Sequence, residues 1–115
     1  MITTIFYDIV ILILLIAGHA FADYPLGGDF LSQGKNTNFP DNEAKWYHVL
    51  TTHSAMHGGI VFFITTSPVL GVSEFVIHWI TDCFKYFRKI SVNIDQEIHI
   101  GCKLLWWIAW IIFIQ

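Results

Sequence analysis

Two histidines, His53 and His57, stand one helical turn apart in the stretch HSAMHGGIVFF, at the head of an apolar run. Ionisable side chains at membrane depth are costly and seldom lie there without a partner or a task. Matching groups recur in three other apolar segments. His19 and Asp23 are four residues apart. Glu74, His78 and Asp82 form a series at i, i+4 and i+8, and Asp95 and His99 are again four apart. Residues four apart share one helix face, so each of four helices would present a stripe of imidazole, carboxylate or both. Such a mixture suits zinc, manganese or iron, and side chains from facing helices are how metal sites in bundle cores are built. The expected metal ligands are His19, Asp23, His53, His57, His78, Asp82 and His99. Glu74 and Asp95 are the expected general base, or the acids that orient ligating imidazoles. This set exceeds the usual four ligands of one zinc ion, leaving room for two or more ions, and a multi-metal site can activate water and clamp a phosphate oxygen.

Simpler roles compete at single positions. His48 is off the i+4 series of His53 and His57 and reads as a packing residue near an interface. Asp82 with Lys85 also reads as an i,i+3 ion pair. Asp95 also reads as a helix N-cap, and Asp29, after Gly27 and Gly28, as a turn residue.

The elements that must hold these groups are apolar. The chain has 115 residues, about one domain's worth, with 55% hydrophobic, 17% aromatic and only 13% charged residues and a mean hydropathy of +0.57. A soluble domain is nearer a quarter charged. The composition is that of a membrane protein. A net charge of -3, with six Lys and Arg forming no long basic run, gives nucleic-acid binding little electrostatic support. Cys83 and Cys102 lack a C-x-x-C spacing and read as small buried hydrophobes. The N-terminal apolar run has no basic residue ahead of it and ends in His and Asp rather than a small-residue cleavage site. It therefore reads as a retained transmembrane helix.

Four spans are expected, at Thr3 to Phe21, Trp46 to Thr66, Val69 to Phe87 and Gln96 to Ile114, each near the roughly 20 residues that cross a bilayer core. The expected fold is an all-α, four-helix transmembrane bundle forming one membrane-embedded domain over residues 1–115. A long loop, 24–45, joins the first two spans, the short TTSPVLG turn joins the next two, and KYFRKISVNID joins the last two. Lys35 and Lys45 lie in the first connection, and Lys85, Arg88 and Lys89 lie at the third. The positive-inside rule puts those connections in the cytoplasm and both termini on the opposite side. Trp46, Tyr47, Tyr86 and Phe87 then form an aromatic belt at the cytoplasmic interface. The chain reverses at each loop, so the end of an odd span meets the start of an even one. With about 6 Å of depth per four residues, His19, His53, His78 and His99 fall near one plane, with His57 and Glu74 deeper.

No H-E-x-x-H, G-x-S-x-G or P-loop occurs. GGDF at Gly27 to Phe30 is a fragment of the GGDEF signature of diguanylate cyclases without its Glu, in a chain too short for that domain.

The ordered motifs resemble a small membrane family of bacteria and phage, domain-of-unknown-function family 3307. GHAFADYPLGGDFLSQGK resembles its first motif through His19, Asp23, Tyr24, Pro25, Leu26, Gln33 and Lys35. HSAMHG resembles the second. EFVIHWITDCFK resembles the third, with His78, Asp82 and Lys85, and DQEIH the fourth, with Asp95, Gln96 and His99. Gly27 and Gly28 depart from the family pattern, which has a Gln soon after Pro-Leu. The resemblance covers nearly the whole chain. It extends to LexA-regulated inner-membrane proteins described as metal-dependent hydrolases, and through them to zinc-dependent phospholipase C and related nucleases. It implies a bacterial inner-membrane location, with phage encoding as an alternative.

Three functions follow as expectations. The first is a membrane-embedded metal-dependent hydrolase, acting on a phosphoester or lipid headgroup through a divalent ion, zinc before manganese or iron. The second is a metal or proton translocator, against which the apolar outer half of the last span, LLWWIAWIIFI, weighs. The third is a non-enzymatic membrane module serving phage exclusion or assembly. Membrane lipid is the expected partner, with homo-oligomerisation plausible for so small a core.

Overall fold

A computed structural model describes residues 2–23, 46–87 and 89–115. The described residues are all helical, with no strand among them. Helix α1 runs Ile2–Asp23, α2 Trp46–Thr65, α3 Pro68–Tyr86 and α4 Val92–Ala109, the last continuing into a π-helical turn, Trp110–Ile114. The expected long loop with Asp29, Gln33, Lys35 and Lys45, and also Arg88, lie outside the described residues. Two segments, Ile2–Asp23 and Val92–Ile114, are long and apolar enough to cross a membrane.

Local chemistry sets the helix ends. The α2–α3 turn is as tight as TTSPVLG suggests. Thr66 takes a left-handed φ of 57°, its N–H closes on the Phe62 carbonyl at 2.7 Å, and helix α2 stops there. Ser67 then caps α3, its hydroxyl accepting from Leu70 N–H, and Pro68 fills the first helical position, where a missing N–H costs nothing. Helix α4 starts earlier than the expected Gln96. Ser91 is its N-cap, accepting from Ile94 N–H. Asp95 therefore sits inside the first turn, and the N-cap role considered for it belongs to Ser91.

The helices pack mainly in a ring, α1 on α2, α2 on α3, α3 on α4 and α4 on α1. Glycines allow the closest approaches. A Cβ on Gly58 would lie 2.8 Å from the Gly71 carbonyl oxygen, and one on Gly18 would lie 2.6 Å from Ile60 Cγ2. Small residues at such contacts are how helices approach closely when apolar surroundings give no hydrophobic drive to pack.

The interior has two parts. Leu15, Val61, Leu70 and Trp106 form a buried apolar cluster, flanked by Ile11, Ile64 and Ile77. Beside it, toward the C-terminal ends of α1 and α3 and the N-terminal ends of α2 and α4, the interior is dense in polar groups, with Ala22, Val49 and Leu50 the buried apolar residues there. On the apolar side two polar contacts meet at Asp8. Trp107 Nε1 donates to the Asp8 carbonyl at 2.7 Å, and the Gln115 amide donates to Asp8 Oδ1 at 2.6 Å.

Candidate metal centre

All four stripes converge. His19, His53, His57, Glu74, His78, Asp82, Asp95 and His99 are buried, and Asp23 is nearly so. The spacing explains this: with one residue of each i,i+4 pair facing inward, the other must do so too. The imidazoles crowd together, with His57 stacked on His78 at 3.8 Å between ring centroids and His78 on His99 at 4.1 Å. His19 lies 5.1 Å from His57 and 5.4 Å from His99. These distances bring the rings together, His57 among them, although it is expected deeper than the rest. His48 is exposed and stands outside the cluster, against Tyr47.

Three overlapping groups have ligand atoms within 4.8 Å of one another and could hold a metal ion. The first is Asp23, His53, His57 and His78; the second Glu74, His78 and His99; the third Asp82, Asp95 and His99. In the first, Asp23 Oδ1 meets His53 Nε2 at 3.1 Å and His57 Nε2 at 2.8 Å. Metal–ligand bonds of about 2.0–2.2 Å in a tetrahedron give edges of roughly 3.3–3.6 Å, so a small dilation of this corner admits an ion. The other oxygen, Asp23 Oδ2, is held by His19 Nε2 at 3.2 Å and by the Gln96 amide at 3.3 Å. His19 Nε2 also faces Gln96 Oε1 at 3.2 Å, so this nitrogen is placed to donate.

In the second group Glu74 is pinned. Its Oε1 accepts from Lys103 Nζ at 2.6 Å, and its Oε2 from Trp106 Nε1 at 2.5 Å. Glu74 Oε1 also meets His78 Nδ1 at 3.3 Å. His78 Nε2, buried, makes no hydrogen bond among the described residues and lies 3.3 Å from Asp82 Oδ2. A carboxylate on one imidazole nitrogen, with the other making no hydrogen bond, is the arrangement that orients a metal-ligating histidine. In the third group His99 Nε2 meets Asp82 Oδ1 and Asp95 Oδ1, both at 3.1 Å. Lys85 reaches in to Asp95 Oδ2 at 3.1 Å. The anticipated Asp82–Lys85 pair is present at 3.8 Å, but Asp95 is the nearer partner.

The donor set fits a divalent cation. Neutral imidazoles can stack closely, whereas two imidazolium charges about 4 Å apart repel by about 4 kcal/mol at an effective dielectric of 20. A metal gathers such rings without charging them.

Sequence reasoning gave no site role to Lys103 or Trp106, and named Gln96 only as the start of the last span and within the fourth family motif. Lys103, only 1% exposed, continues the Asp95–His99 stripe by one further turn, and that i+4 step was the available signal. Trp106 and Gln96 gave no comparable signal, because their roles depend on which residues face them across the bundle.

The model of the family described as "Protein of unknown function (DUF3307)" matches residues 11–114. No curated protein and no solved structure matches the chain. The match spans nearly the whole sequence, and the chain belongs to the DUF3307 family.

Proposed function

We propose that, as a member of the DUF3307 family, this chain is a four-span membrane protein with one intramembrane metal centre, and that the centre hydrolyses a phosphoester or lipid headgroup. The observation that carries this reading is the Glu74–His78 arrangement within the cluster. One imidazole nitrogen faces a pinned carboxylate while the other, buried, lies beside Asp82, and His78 has a ligand atom within 4.8 Å of those of Asp23, His53 and His57. The proposed ligands are drawn from His19, Asp23, His53, His57, His78, Asp82 and His99. Zinc suits the imidazole-rich set, and manganese or iron suits the carboxylates.

A divalent ion would supply Lewis-acid polarisation of a phosphoryl oxygen and a more acidic water. The side chains do the rest. Glu74, both of whose oxygens are taken by Lys103 and Trp106, orients His78 and is poorly placed to accept a further proton. Asp95 is engaged at both oxygens as well, Oδ1 by His99 and Oδ2 by Lys85 and Gln96, so both acids serve to orient the groups beside them. On this reading the polar end faces the cytoplasm, as Lys85 and Lys89 favour, and the protein sits in a bacterial inner membrane, encoded by a bacterium or its phage. An apolar groove of about 600 Å³ between α1 and α2, lined by Leu14, Gly18, Phe21, Met56, Ile60 and Phe63, suits a lipid chain whose headgroup lies level with His19 and His57. The apolar cluster of Leu15, Val61, Leu70 and Trp106 weighs against translocation, which needs polar groups along the whole path.

The test is hydrolysis by zinc-loaded protein in detergent, using p-nitrophenyl phosphate and phosphatidylglycerol vesicles. Turnover that a chelator removes and that His78→Ala abolishes supports the reading. A folded, metal-loaded protein that releases neither product contradicts it.

A further inference from the structure

The three candidate groups are not equivalent, and the difference lies in the lysines. In the second group the Lys103 ammonium already sits against Glu74, in the place of an ion. In the third, Lys85 contacts both Asp95 and Asp82. No lysine or arginine contact to Asp23 is found among the described residues. Its partners are His19, His53, His57 and Gln96.

Charge points the same way. The cluster contains four carboxylates, Asp23, Glu74, Asp82 and Asp95, and two ammonium groups, Lys85 and Lys103. Counted over the described residues alone, and with every imidazole neutral, two negative charges remain uncompensated. Buried charges require partners, and one divalent cation supplies the missing compensation. Two divalent cations would leave the cluster with an excess of two positive charges, and three with four.

We infer that the centre holds a single divalent cation at the Asp23–His53–His57–His78 corner, with Lys103 and Lys85 standing in for the second and third ions that the ligand count alone would allow. Three independent features meet there. His78 Nε2 is buried and makes no hydrogen bond among the described residues. Asp23 presents one oxygen to His53 and His57 while His19 and Gln96 hold the other. Among the described residues, no lysine or arginine contacts Asp23 at this corner. His19 then acts as a positioning residue for Asp23, and Asp82, 3.3 Å from His78 Nε2 and 3.1 Å from His99, links this corner to the lysine-compensated one.

This inference rests on the metal reading above, and one set of measurements separates the two. Zinc per chain is counted by elemental analysis on detergent-purified protein loaded with Zn²⁺ and dialysed. X-ray absorption at the zinc edge counts the imidazoles, with no mutation required. One ion with three imidazoles is expected. Two or more ions per chain would overturn the inference while leaving a metal centre in place. One ion with fewer than three imidazoles would place it at another group and overturn the inference too. No ion on a folded chain would overturn both. As a second arm, Asp23→Asn is expected to weaken zinc binding at least 100-fold and Asp95→Asn less than 10-fold. The reverse order contradicts the assignment.

Discussion

The two halves of this bundle solve the same problem in opposite ways. In one half, Leu15, Val61, Leu70 and the ring of Trp106 fill the space between helices with apolar atoms, and only the Trp106 N–H, which donates to Glu74, has a specified partner. In the other, five imidazoles, four carboxylates and two lysines fill a similar space, and nearly every polar atom needs a named partner. The first half tolerates approximate packing, as apolar cores do. The second half is specific and fragile, because removing one member strands another in a medium that solvates charge poorly.

That contrast is breakable, most severely at Lys103. Lys103→Met leaves the Glu74 carboxylate buried without its ammonium and should cost about 3–5 kcal/mol, read by unfolding in mixed detergent–SDS micelles. Glu74→Gln/Lys103→Met together should recover most of the loss. If the double variant is no more stable than the single one, the pairing account fails. In the apolar half, Leu15→Ala should cost about 2 kcal/mol, toward the low end for the cavity left by a buried Leu. Its zinc content should not change, and a loss of metal there would show that the halves are coupled.

Finer tests act on positioning. Gln96→Ala removes one support of Asp23 and should weaken zinc binding about tenfold with little change in fold, measured by chelator competition. The smallest effect is expected at the turn. Thr66→Gly relieves a left-handed β-branched residue and gives up the Thr66 hydroxyl's bond to the Thr65 carbonyl, for a net gain of about 0.5 kcal/mol. A clear destabilisation would mean that the Thr66 side chain matters more than its backbone strain.

Much of this arrangement was legible in the sequence, for a definite reason. The i,i+4 spacing of His19 with Asp23, of Glu74, His78 and Asp82, and of Asp95 with His99 fixes a face on each helix, and chain reversal fixes the level. The S-P pair at Ser67 and Pro68 marks a helix start directly. The start of α4 was harder, since SVNID offers both Ser91 and Asp95 as caps, and only the packing of Asp95 against His99 and Lys85 decides between them. What could not be read were partnerships across the bundle. Glu74 with Lys103, His19 with Gln96 and Asp8 with Gln115 join residues 29, 77 and 107 positions apart, and no local pattern encodes them. Those pairings decide which acids are already compensated and which corner is left to attract a cation.

The central claim is that the polar half is a metal site rather than a hydrogen-bonded core. Elemental analysis of detergent-purified protein beside His53→Ala/His78→Ala tests it most directly, with circular dichroism to show that both are helical. The account predicts one zinc, manganese or iron per wild-type chain and none in the variant. Two well-folded proteins, neither holding metal even after loading, would contradict it.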